Sequence, residues 1–152
     1  MTDTKSLEAR SLNMSHIRST NTKPEMLVRR ILFSMGYRYR LHRKDLPGKP
    51  DIVMPGRRIV IFVHGCFWHH HPGCRRATIP TSNKDFWYKK LTSNVQRDAE
   101  ERKALREGGW RVLWIWECAL SRKGDREALP ALLHEWIESS AGEGEIPISA
   151  RK

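Results

Sequence analysis

The sequence predicts an α/β fold, a mixed β-sheet sandwiched between helices. Two observations carry this expectation. Apolar residues recur at helical spacing in three segments and in period-two or continuous runs in four shorter ones, in the order helix, strand, strand, strand, helix, strand, helix. Two of the β runs, 58–63 and 110–116, are apolar almost throughout, as strands covered on both faces are. At 152 residues the chain has the size of one domain and can bury roughly 70% of the surface its unfolded form exposes, so it needs no cross-links to fold.

Each element has its own local signals. Residues 1–21 are polar and basic, with Arg10, His16 and Arg18 but no sustained apolar period, and are expected to form a flexible arm or one short helix, the kind of arm that often tracks a DNA groove or backbone. Thr22-Lys23-Pro24-Glu25 has the shape of a capping box, with proline tolerated in the first turn. The helix that follows buries Leu27, Val28, Ile31, Leu32 and Met35 and stops at Gly36. Tyr37 to Leu41 alternates and reads as a half-buried strand. Asp51 to Met54 and Arg58 to Val63 form a hairpin across Pro55-Gly56, which brings Asp51 and His64 to the same end of the sheet.

A long helix spans Asn83 to Glu107 and ends at Gly108-Gly109. Its stripe is Trp87, Leu91, Val95, Ala99, Arg102 and Leu105, with Asn94 and Asp98 beside it. Those two either face solvent or bring a carboxylate to a histidine or a metal-bound water. Trp110 to Trp116 is the next buried strand, and Glu117-Cys118 lies at its end. A last amphipathic helix uses Leu129, Leu132, Leu133 and Trp136, with its start blurred by Pro130. The chain thus divides into an arm at 1–21, a domain at 22–138 and a tail at 139–152 that is expected to fray.

Charge and composition narrow the function. A formal net charge of +11 points to a polyanionic partner, and above all to nucleic acid, because each neutralised phosphate steepens the salt dependence of binding by about 0.9. No apolar run approaches the ~20 residues of a membrane helix, and Met1 to Lys5 lack the apolar core of a signal peptide, so a cytoplasmic protein is expected. The three cysteines are an odd number, which excludes a complete disulfide framework.

The sequence is organised around Val60 to Cys74, where an apolar run gives way to cysteine, aromatic rings and three consecutive histidines. Cys66, His71 and Cys74 form C-x4-H-x2-C, and Cys118 supplies a fourth donor. Four sulfur and nitrogen donors suit a closed tetrahedral Zn²⁺, structural because no position is left for water. Composition leaves His69, His70 and His71 all open as the nitrogen donor, and the spacing to Cys74 favours His71. A second site centres on Asp51. Phosphodiester hydrolysis needs charge neutralised at the phosphate, an activated water and a proton donor for the leaving oxygen, and Mg²⁺ on a carboxylate supplies the first. Asp51 and His64 present an acid and a base from adjacent strand ends.

Pro50-Asp51 followed by a central strand resembles the PD-(D/E)-x-K nucleases, whose restriction-endonuclease-like αβββαβ core carries a metal-binding acid and a lysine. Here Phe62-Val63-His64 stands in place of the acid-x-lysine tripeptide. That departure, with Leu46-Pro47-Gly48-Lys49-Pro50-Asp51, His64-Gly65-Cys66-Phe67-Trp68-His69, Asp85-Phe86-Trp87, Asn94 to Asp98 and Gly109 to Cys118, closely resembles the very short patch repair (Vsr) DNA mismatch endonucleases, over roughly Ser11 to Trp136. The resemblance implies a Mg²⁺-dependent enzyme that nicks one strand of duplex DNA beside the thymine of a T:G mismatch. It implies Asp51 and the Val63 carbonyl as Mg²⁺ ligands, His69 as the group that takes a proton from the attacking water, and His64 as a second active-site histidine. Asp98 is then an orienting carboxylate, Glu25 an outer-shell acid, and Phe67, Trp68 and Trp87 the rings that enter the base stack. It further implies a bacterial protein acting at the nucleoid as a monomer, and leaves room for a MutL-type repair protein as a partner. The competing expectation is a non-catalytic, zinc-stabilised DNA-binding module, which leaves Asp51 and His64 without a use.

Overall fold

The computed structural model of the protein describes residues 21–147. The expected arm at 1–21 therefore lies outside the described residues except at Asn21.

Helix α1 is Lys23–Ser34. The Thr22 hydroxyl accepts from the Glu25 N–H at 3.3 Å, and the Glu25 carboxylate reaches back to the Asn21 N–H at 3.1 Å. The cap thus closes one residue earlier than a reciprocal box would. Strand β1 is only Arg40–Leu41, shorter than the alternation from Tyr37 suggests. Its partner β2, Ile52–Met54, ends at Pro55, which has no N–H to extend the ladder. A 3₁₀ turn over Pro55–Arg57 and a left-handed Arg58 lead into β3, Ile59–His64.

Helix α2 is Lys84–Glu107 and β4 is Arg111–Trp116. A 3₁₀ turn over Glu117–Leu120 follows. Helix α3, Lys123–Glu138, runs through Pro130 and buries Leu129, Leu133 and Ile137. Leu132, expected inside, is exposed. Beyond it the chain does not simply fray: Glu143–Ile146 forms β5. The sheet order is β1-β2-β3-β4-β5, antiparallel across β1, β2 and β3 and parallel across β3, β4 and β5. This is a mixed sheet with a restriction-endonuclease-like αβββαβ core, extended by α3 and β5.

Strand parity decides which residues face which helix. Ile52, Met54, Ile59, Ile61, Leu113 and Ile115 pack with Val28 and Leu32 of α1 and with Leu129, Leu133 and Ile137 of α3. Val53, Val60, Phe62 and Val112 face the other way and pack with Leu105 of α2. Asp51 shares the parity of Val53, and His64 that of Phe62. Both are thereby turned toward α2, at the end of the sheet where β3 stops.

Candidate active site and metal centre

A cleft of about 830 Å³ opens at that end of the sheet, lined by Asp51, Val63, His64, His69, Asp98 and His42, with Lys44, Lys49, Arg97 and Glu101 around them. Asp51 precedes β2, and its Oδ2 accepts from the Val63 N–H at 2.8 Å. Burial pushes the Asp51 carboxyl up to about 6, against the pull of that hydrogen bond. A half-buried carboxylate in this position suits a hard cation better than it suits solvent.

Helix α2 brings Asp98 across the cleft. The inward face of its middle is polar: Asn94, Asp98, Glu101 and Arg102 are partly buried, whereas Ala99 and Val95, expected on the core stripe, are exposed. Trp87, Leu91 and Leu105 anchor the helix at both ends, so its centre is free to serve the site. Asn94 donates to the Trp68 carbonyl at 2.9 Å and ties the histidine loop to the helix. His69 Nδ1–H donates to Asp98 Oδ2 at 2.6 Å. A carboxylate accepts only, so this bond fixes the proton on Nδ1 and leaves Nε2 as a base.

His64 is 4% exposed. Its ring stacks on His69 at 3.8 Å and 4° and meets Phe62, Trp114 and Trp116 around its edge. Burial, with His69, Arg102 and His71 nearby, holds its pKa well below the ordinary histidine range, so it stays neutral.

The second cluster lies behind this loop. Cys66, His71, Cys74 and Cys118 are all buried and their donor atoms lie within 4.8 Å of one another. His71 Nδ1 is 3.7 Å from Cys66 Sγ and 3.6 Å from Cys118 Sγ. A tetrahedral ion with sulfur and nitrogen arms of roughly 2.3 and 2.0 Å sets such an edge at about 3.5 Å, so the donors fit a metal. Burial is the main influence that drives the Cys66 thiol upward, with Cys118 and Cys74 beside it, and His71 downward, against Glu145, and a cation would reverse the first effect. The spacing argument for His71 over His69 and His70 thus agrees with the geometry. His69 is committed to Asp98.

Phe67 and Trp68 stand at the loop tip, partly exposed, at 5.1 Å from each other and 5.5 and 5.9 Å from Trp87. Trp87 itself is only 6% exposed, and the freely exposed rings beside it are Phe86 and Tyr88, at 56% and 59%. Trp87 is the root of the aromatic cluster.

A family model described as DNA mismatch endonuclease Vsr matches residues 2–76. The type II nicking enzyme V.XorIIP of Xanthomonas oryzae pv. oryzae is 55% identical over 128 residues, covering 84% of this chain and 93% of that one. V.NmeAIP of Neisseria meningitidis is 46% identical over 136 residues, 89% and 96% of the two chains. The DNA mismatch endonuclease Vsr of Escherichia coli is 42% identical over 146 residues, 95% and 91% of the two. The chain belongs to the Vsr family.

In this Vsr-family cleft the structure adds a residue that the motifs did not single out. His42 follows β1 at φ +50°, in the left-handed region. Its N–H bonds the Asp51 carbonyl at 3.0 Å, and its Nε2 lies 2.7 Å from Glu25 Oε2. Glu25 is 1% exposed and also meets Arg29 at 3.3 Å. Glu25, in the first turn of α1, therefore stands behind His42, a lining residue of the cleft. The sequence held one signal for His42, its place ten residues upstream of a strand start in an antiparallel pair, and only the register makes that signal readable.

Proposed function

We propose that this Vsr-family endonuclease nicks one strand of duplex DNA beside the thymine of a T:G mismatch, with Mg²⁺ in the cleft and structural Zn²⁺ on Cys66, His71, Cys74 and Cys118. The observation that carries it is the convergence of Asp51, His69 and Asp98 in one cleft from three different elements. The runner-up, a DNA-binding module without chemistry, has no use for a histidine base preset by a carboxylate.

In this assignment Asp51 and the Val63 carbonyl hold Mg²⁺, which supplies charge neutralisation at the scissile phosphate. His69 Nε2 takes a proton from the attacking water, Asp98 stabilises the imidazolium, and neutral His64 holds the His69 ring in place by stacking. Lys44, Lys49 and Arg97 at the rim attract the phosphate backbone. Phe67 and Trp68 enter the base stack with Trp87 at their root. A mismatched step costs less to unstack than a paired one, which is a source of selectivity. The protein acts as a monomer at the nucleoid in the bacterial cytoplasm, where a MutL-type repair protein is a candidate partner.

The test is a nicking assay on otherwise identical duplexes carrying T:G or T:A at one position, with Mg²⁺. Nicking of the thymine strand of the T:G duplex is expected, with Asp51→Ala binding but not cutting. Equal cutting by Asp51→Ala, or of the T:A duplex, sinks the proposal.

A further inference from the structure

Hydrolysis of a phosphodiester needs a proton donor for the leaving oxygen, and neither the Mg²⁺ site nor the His69 base supplies one. The stripe of α2 that faces inward runs Leu91, Asn94, Asp98, Glu101 and Leu105, at spacings of three and four residues. Leu91 and Leu105 at its ends are 1% and 0% exposed. Asn94 is used by the Trp68 carbonyl and Asp98 by His69. Glu101 lines the same cleft and is partly buried. Among the described residues it makes no hydrogen bond and no ion pair. A carboxylate at an inward position without a partner costs stability, so packing does not account for it.

The histidine loop lies over residues 94–98, with Trp68 on Asn94 and His69 on Asp98. Glu101 is three residues further along, a rise of about 4.5 Å. In an in-line displacement the attacking and leaving oxygens lie on opposite sides of phosphorus. A phosphate lying along this wall of the cleft has His69 at one end and Glu101 at the other. Beyond Glu101 the Leu46–Lys49 loop closes the space, since a Cβ on Gly48 would press on Glu101 Oε2. The surroundings favour the acid form of this carboxyl. Burial, with Asp98 and Glu100 on the same helix, holds it above the ordinary glutamate range against Arg97 and His69. Lys44 and Lys49 line the cleft but form no ion pair with it, and His64 is neutral. We propose that Glu101 is the general acid of the nicking reaction and gives its proton to the oxygen that leaves the scissile phosphate. The bond from the water oxygen to phosphorus forms as the bond to the leaving oxygen breaks. His69 Nε2 receives the proton of the water, Glu101 releases its own to the leaving oxygen, and exchange with solvent restores both groups. The inference deepens the proposed function and rests on it for the base His69 and the T:G duplex.

The test is single-turnover nicking of two T:G duplexes with Mg²⁺, one ordinary and one in which sulfur replaces the bridging oxygen that leaves. A thiolate, with a pKa near that of cysteine at about 8.5, departs without an acid, whereas an alkoxide does not. Glu101→Gln is expected to nick the ordinary duplex about 10²- to 10⁴-fold more slowly and the sulfur duplex as fast as the unaltered protein does, with DNA affinity and melting temperature kept. On the ordinary duplex the rate of the unaltered protein falls as alkali removes the Glu101 proton, and Glu101→Gln shows no such fall. Equal slowing on both duplexes marks a residue that only shapes the cleft and overturns the proposal, as does an unslowed ordinary duplex. A further readout needs no DNA. In protein labelled with ¹³C-carboxyl glutamate, the resonance missing from Glu101→Gln is expected to titrate above the ordinary glutamate range, and an ordinary titration overturns the proposal. Should the unaltered protein leave the T:G duplex whole, the proposed substrate falls alone, and the same comparison is made on whichever matched or mismatched duplex it does nick.

Discussion

His69 Nδ1 and Asp98 Oδ2 lie 2.6 Å apart, with the carboxylate 13% and the imidazole 32% exposed. The bond is sheltered on the Asp98 side and open on the His69 side, which is the arrangement a proton acceptor for water requires. Asp98→Asn keeps the shape, but its amide would donate to Nδ1 and force the proton onto Nε2. The nicking rate is then expected to fall by about 10²- to 10⁴-fold with DNA affinity unchanged, measured by single-turnover cleavage beside equilibrium binding. A rate near that of the unaltered protein would show that the His69 tautomer is irrelevant.

Asp51 carries an opposite prediction for stability. Its carboxyl is raised from 3.8 to about 6 by burial, so the folded protein holds that proton more tightly than the unfolded chain does. The stabilising contribution is complete below pH 4 and is lost as pH rises through 6. Above that, a charged carboxylate sits where burial disfavours it. Asp51→Asn keeps an oxygen to accept from Val63 and carries no charge. In Mg²⁺-free buffer at pH 8 it is expected to be more stable by about 1–3 kcal/mol, with the gain vanishing by pH 4 and activity absent throughout. Thermal melts across pH check this, and a variant less stable at pH 8 contradicts it.

Gly48 sets how close the Leu46–Lys49 loop comes to α2. It holds φ +75°, and a Cβ there would press on the Glu101 carboxylate and stand 3.0 Å from the Phe62 ring. Gly48→Ala is expected to cost about 1–3 kcal/mol and to spread the cleft wall. Chemical denaturation and DNA affinity measured together report it. Unchanged values of both would mean that the loop has room to move.

The four-donor cluster was the most legible part of the sequence, and the clearest departure from sequence reasoning lies next to it. Four soft donors within a short loop and one strand end are local information, and Cys66, His71, Cys74 and Cys118 meet as the spacing implies. The convergence of Asp51 and His64 followed from hairpin geometry. The middle of α2 was less legible, because hydrophobic periodicity selects Val95 and Ala99, whereas the structure turns Asp98 toward the cleft and Asn94 toward the Trp68 carbonyl. His42 escaped notice because a lone histidine after a short strand carries no pattern of its own. Strand β5 escaped because Glu143-Gly144-Glu145-Ile146 has no β-like alternation. It is held by the parallel ladder to β4, by Arg111, whose guanidinium spans the α3 end and the Ala141 carbonyl, and by Glu143 beside Arg102 and Arg106.

Loss of a single sulfur donor is expected to loosen the whole loop. On the proposed zinc assignment, Cys74→Ser removes one of four ligands, and a structural zinc contributes its binding energy directly to folding. The variant is expected to hold less than one zinc per chain by elemental analysis, with a lower melting temperature and faster amide exchange over 65–77. Nicking falls although Asp51 is untouched, because His69 and the Phe67–Trp68 pair are carried by that loop. Full zinc occupancy in the variant would shift the ligand set away from Cys74.

Trp116 joins the two centres, and β5 holds it there. One indole face stacks on His71 at 4.1 Å and 6°, and the ring meets His64 edge-on at 5.1 Å and 69°. Its Nε1–H donates to Glu145 Oε1 at 2.8 Å, so a residue on an edge strand fixes the ring that lies between His71 of the four-donor cluster and His64 of the cleft. Outer partners of a metal ligand typically change affinity by about 10- to 100-fold when removed. Glu145→Ala is therefore expected to release zinc about tenfold faster in a chelator challenge and to lower the nicking rate with little change in DNA affinity. Trp116→Phe keeps a ring in the stack but loses the N–H, and is expected to behave the same way. If Glu145→Ala releases zinc at the rate of the unaltered protein while Trp116→Phe does not, the indole acts through packing alone and β5 has no part in holding the centre.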